Sequence, residues 1–76
     1  MNHDRRSRLE KAVLLIEEAR DIIESCEAEE RECYDNLSEG LQASERGQKY
    51  EENADTLADV VAELENQTDN IRQAQE

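Results

Sequence analysis

Residues 36 to 47 read NLSEGLQASERG, and the reading of this stretch decides the fold. It holds both glycines of the chain, Gly40 and Gly47, and the chain has no proline. On either side apolar residues recur at helical spacing; within the stretch that recurrence stops and restarts. Asn36 with Glu39 three residues later has the form of a capping box, the Asn side chain taking a backbone N–H and the Glu reaching back. Ser44 is a second N-cap candidate, followed by Glu45 in the first turn, where the helix dipole favours an acid. Both caps operate if residues 37 to 42 form one short helical turn between two breaks. Each glycine lowers helix propensity by about 1 kcal/mol relative to Ala. The stretch therefore predicts a chain reversal between two helices, with Leu37 and Leu41 plugging its end.

A heptad ruler laid upstream from Leu9 places Leu9, Ile16, Ile23, Glu30 and Leu37 on one position. It places Ala12, Ala19, Cys26 and Cys33 on the second. Glu10, Glu17, Asp21 and Glu24 fill the opposite face. This predicts one helix from about residue 4 to 35. Downstream, Gly47, Tyr50, Ala54, Leu57, Val61, Leu64, Thr68 and Ile71 alternate steps of three and four. They predict a second helix from about residue 45 to 74, with residues 36 to 44 as the connection. Gly47 falls on the seam, where a missing side chain lets another backbone approach closely. Folding the chain about residue 40 sets Leu9 against Ile71, Ile16 against Leu64, Ile23 against Leu57 and Cys26 against Ala54. Glu30 then falls beside Lys49 and Tyr50. The expected architecture is all-α: an antiparallel two-helix hairpin in a single domain, residues 1 to 76.

The hairpin leaves apolar residues uncovered. Val13, Leu14, Leu15 and Ile22 widen the apolar sector of the first helix, and Val60 does so for the second. Each large apolar side chain left in water forfeits about 1.5 to 3 kcal/mol. These five residues are the expected dimer interface, and a homodimeric four-helix bundle is the expected assembly. The chain length points the same way. A chain of 76 residues buries only about 60 to 65% of its unfolded surface and gains from a partner subunit.

Composition excludes several classes. The chain has no Trp and no Phe, so its core is built from Leu, Ile, Val and Ala, a palette that suits helix packing. It carries 21 acidic against 9 basic residues, a net charge of −12, which repels nucleic-acid phosphates and anionic membranes. The longest apolar run, Ala12 to Ile16, is too short to span a bilayer, and the start MNHDRRSRLEK leads into no signal-peptide core, so a cytoplasmic location is expected. Cys26 and Cys33 are about 10 Å apart along a helix, beyond the reach of a disulfide within it. They read as small seam-filling residues, with an intermolecular disulfide as the alternative. With His3 they fall short of the four ligands a structural zinc needs. No catalytic residue, cofactor site or metal site is expected. Arg5, Arg6, Arg8 and Lys11 form a short basic start, read as a solvated helix beginning.

The turn also carries a resemblance. Asn36, Leu37, Glu39, Leu41, Gln42, Ser44, Glu45, Arg46, Gly47 and Glu51 resemble a pattern of small helical proteins of phages and other mobile elements. There the motif runs Asn-Leu-Pro-Glu, Leu-Gln, Ser-Glu-Arg-Gly, then an apolar residue and Glu. Ser38 stands where proline is common, and Tyr50 where methionine is common. The resemblance covers about residues 34 to 64 and implies setting and fold, with no chemistry attached. Arg46 is expected either to pair with Asp35 or Glu39 or to contact a partner.

The acids are the functional candidate. Asp21 to Glu39 holds eight acids and one arginine. Acids three or four apart on a helix lie about 5 to 6 Å from each other, close to the roughly 6 to 7 Å between phosphates along a strand. Asp21, Glu24, Glu27 and Glu32 are the expected partner-binding face, and a host protein with a basic cleft is the expected partner. The function expected is a small acidic adaptor or inhibitor, a nucleic-acid mimic being one form of it. The alternative is a structural homodimerisation bundle without a basic target.

Overall fold

The computed structural model describes all residues, Met1–Glu76. Three helices account for 88% of the chain and there are no strands. Helix α1 spans His3–Asp35, α2 spans Glu39–Gln42 and α3 spans Glu45–Ala74. Helices α1 and α3 lie side by side and antiparallel. Arg6 Nε donates to the carbonyl of Gln75 at 2.8 Å, and Arg31 meets Asp55 at 3.4 Å. The result is a rod with principal extents of 58 × 15 × 12 Å.

Local chemistry sets the element ends. Asn2 caps α1, its side-chain oxygen accepting from the N–H of Arg5 at 2.9 Å. Ser44 caps α3, accepting from the N–H of Gly47 at 3.3 Å, and its hydroxyl also donates to the carbonyl of Leu41. The expected Asn36–Glu39 capping box is not formed. Asn36 is instead the C-cap of α1, its N–H bonded to the Glu32 carbonyl at 3.0 Å. Ser38 is the N-cap of α2, in extended backbone conformation and without a side-chain capping hydrogen bond. The side-chain amide of Gln42 donates to the carbonyl of Tyr34 at 3.1 Å and ties the turn to the end of α1.

The packing seam differs from the sequence reading on one helix only. On α3, Gly47, Ala54, Val61 and Thr68 are buried, and Tyr50, Leu57, Leu64 and Ile71 are half-buried. On α1 the covered residues are Leu9, Ala12, Val13, Ile16, Glu17, Arg20, Ile23, Glu27, Glu30 and Tyr34, Val13 alone among them fully, with Leu37 covered just beyond its end. The second seam position is thus one residue later than expected. Val13 is fully buried at 0% exposure, while Ala19, Cys26 and Cys33 are exposed. Steps of three and four are both helical, so an apolar count alone does not choose between them. What tips the choice is size and reach. Val13 and Tyr34 fill more of the seam than Ala12 and Cys33, and Arg20 and Glu27 extend out of it to ion-pair partners.

The register moves with the seam. Glu30 with Asn53, Arg20 with Glu65 and Arg31 with Asp55 centre the fold about residue 42. This sets Val13 level with Ile71, Ile23 level with Val61 and Tyr34 level with Tyr50, about half a heptad from the register expected from the sequence.

Candidate functional site

Glu27 is the expected face residue that the fold places differently from the rest. It sits on the seam, its side chain 19% exposed, and accepts from Arg31 Nε at 3.1 Å. Asp21 and Glu24 are on the surface but flank Arg20, at 3.7 and 3.1 Å. Glu32 is exposed and free of ion pairs. The four residues therefore do not form one open face. Arg20 gathers Asp21 and Glu24 of its own helix and Glu65 of α3, with Nε 3.3 Å from the Glu65 carboxylate. Hydrogen bonding to Glu24 is the main reason its guanidinium is held above its ordinary pKa, with Glu65 adding to it. Arg72 likewise bridges the helices, to Glu17 at 2.6 Å and Glu10 at 3.9 Å.

Eight of the 21 acids enter ion pairs. Among the others, Glu45, Glu52, Asp59 and Glu63 are exposed and lie on α3 at steps of seven, seven and four. On an α-helix those steps place all four within about 40° of arc, diametrically opposite the seam. The sequence reading passed over this stripe because it weighed acid density, which peaks between Asp21 and Glu39. Position relative to the α3 seam was the signal that finds it.

The expected dimer-interface residues separate as well. Leu14, Leu15 and Ile22 are 59%, 57% and 62% exposed. Val60 is half-buried at the edge of α3. Val13 belongs to the interior of the α1–α3 pair and is removed from the interface set. Leu15 and Ile22 share an α1 stripe with Ala12, Ala19 and Cys26, whereas Leu14 points about 90° away, beside Asp21 and Glu32.

At the turn, Arg46 pairs with neither Asp35 nor Glu39. Its guanidinium lies over the Tyr50 ring, 5.8 Å from the centroid, and donates to the Tyr50 hydroxyl at 3.4 Å. That hydrogen bond raises the Arg46 pKa. Glu39 begins α2 and Asn36 ends α1, so these two turn residues are occupied in shaping the reversal. A shallow polar groove beside them is lined by Glu30, Arg46, Lys49, Tyr50 and Asn53. No three His, Cys, Asp or Glu side chains are grouped to hold a metal ion. No helix is long and apolar enough to cross a membrane. No family model, curated protein or solved structure matches the chain.

Proposed function

We propose that the chain is a small acidic protein-interaction module, an adaptor or inhibitor that meets a basic cleft on another protein and assembles as a homodimeric four-helix bundle. The observation that carries this reading is the α3 stripe of Glu45, Glu52, Asp59 and Glu63, exposed and without ion-pair partners. In a chain of net charge −12 it is reinforced rather than neutralised by its surroundings. The likeness of the turn to small helical proteins of phages and mobile elements supports a setting in which such a surface acts on a host protein. A nucleic-acid mimic is one form of this inhibitor.

The test is capture from the native host with the tagged chain at 0.1 and 1 M salt, a change that shortens the Debye length from about 10 to about 3 Å. A basic protein should be held at low salt and released at high salt. The triple variant Glu52→Lys, Asp59→Lys, Glu63→Lys should lose it while keeping the helical circular dichroism. A partner held equally by the variant, or insensitive to salt, overturns the reading. A second reading, a structural homodimer without a basic target, is favoured by the exposure of Leu15 and Ile22. It predicts a dimer in sedimentation equilibrium, of about twice the 8.8 kDa chain mass, with no salt-sensitive capture.

A further inference from the structure

The solvent-accessible area of the chain is 5600 Å². A compact monomer of this mass exposes about 4,800 Å². The excess belongs to the rod shape, which leaves Leu15 and Ile22 of α1 57% and 62% exposed. The exposed apolar stripe of α1 lies on the edge away from the Arg20, Arg31 and Arg72 bridges. Cys26 borders Asn53 and Thr56 there, whereas Arg31 and Asp55 line the opposite edge.

Two observations about this stripe specify its occupant. The first is volume. Small residues, Ala12, Ala19 and Cys26, hold one heptad position, and large ones, Leu15 and Ile22, hold the other. The second is charge. The α1 cations without an acid partner, Arg5, Arg6 and Lys11, all lie in its first third, whereas Glu29, Glu30, Glu32 and Asp35, also free of ion pairs, lie in its last. Lys11 and Glu29 are about 27 Å apart along the helix, well beyond the Debye length, so they do not serve each other within one chain.

We propose that a second copy of this chain docks antiparallel on the Ala12, Leu15, Ala19, Ile22 and Cys26 stripe, with the two-fold axis near residues 20 and 21 of α1. This rests on the self-association proposed above and adds its face, orientation and register. With that axis, Ala19 is level with Ile22 of the second copy and Leu15 with Cys26 of the second copy, so these central layers set a small residue against a large one, while Ala12 is level with Glu29 of the second copy at the rim. Lys11 flanks Glu29 of the second copy, twice by symmetry. A parallel arrangement stacks Ile22 on Ile22 and Ala19 on Ala19 and brings the two acidic ends together, which volume and charge both oppose.

Sedimentation equilibrium at micromolar concentration should give a dimer, and Ile22→Asp a helical monomer. Lys11→Glu should weaken the dimer about tenfold, and adding Glu29→Lys should restore it. Orientation is read with a nitroxide on Ser38→Cys, an exposed turn position, with Cys26 and Cys33 replaced by Ala. An antiparallel dimer separates the two turns by about 50 Å. A separation under about 25 Å, or no rescue by the charge swap, overturns the orientation while leaving a dimer in place. A chain that stays monomeric at tens of micromolar overturns self-association as well.

Discussion

At Gly47 an added methyl group would sit 2.5 Å from the carbonyl oxygen of Leu41 and closer still to that of Gln42. The end of α2 rests directly on the α3 backbone at this point, as the seam position of a glycine led one to expect. Gly47→Ala should therefore lower stability by roughly 1 to 3 kcal/mol despite the better helix propensity of Ala. Gly40 has open space around its Cβ position, and neither glycine has a positive φ. Gly40→Ala should raise stability by up to about 1 kcal/mol. Thermal melts of the two variants read the sign directly, and a Gly47→Ala melt above wild type refutes the close approach. Tyr34 supplies a pH dependence. Hydrogen bonding to the Glu51 carboxylate holds its phenol above the ordinary value, with burial and the charges of Glu51 and Asp35 acting in the same sense. A folded-state pKa raised above the unfolded one stabilises the fold in full below the unfolded value of about 10 and is lost as pH rises through the folded value. The melting advantage of wild type over Tyr34→Phe should be constant up to about pH 9 and decline only above about pH 10, as pH rises through the raised folded-state value. An advantage that begins to fall well below pH 9 contradicts a raised phenol pKa.

At the scale of elements, α1 and α3 were legible for different reasons. On α3 one apolar stripe exists, so Tyr50, Ala54, Leu57, Val61, Leu64 and Ile71 admit a single seam. On α1 two stripes lie next to each other. Leu9, Ile16 and Ile23 were placed correctly, but Val13 and Ala12 compete for the intervening position, and so on along the helix. The competition is decided by α3, which the heptad count of α1 does not see. Arg20 and Glu27 hid the true seam further, since charged residues read as surface until their partners Glu65 and Arg31 are in place. The acidic face was misjudged for the same reason: Glu27 is charged and yet faces inward. A paired substitution checks the corrected seam. Val13→Ala should cost about 1 to 3 kcal/mol in urea denaturation, whereas Leu14→Ala, one residue on, should fall within about 0.5 kcal/mol of wild type. Equal costs would mean that Leu14 is covered too.

For the whole molecule the radius of gyration is 17.2 Å. A compact domain of 76 residues has about 11 Å. Only five residues are buried: Val13, Gly47, Ala54, Val61 and Thr68. The elongation follows from pairing two helices of 33 and 30 residues along their lengths with nothing laid across them. It also orders the contacts by chain separation. Gln42 and Tyr34 are bonded across eight residues at the turn, Arg31 and Asp55 across 24, Arg72 and Glu17 across 55, and Arg6 and Gln75 across 69 at the open end. The entropy of closing a loop grows with its length, so the nearest contacts are the least costly to make first. Each one made shortens the loop the next must close. The tight seat of α2 on Gly47 thus has a kinetic meaning: it is the hinge from which the two helices zip together, and the chain ends are the last to join and the first to part.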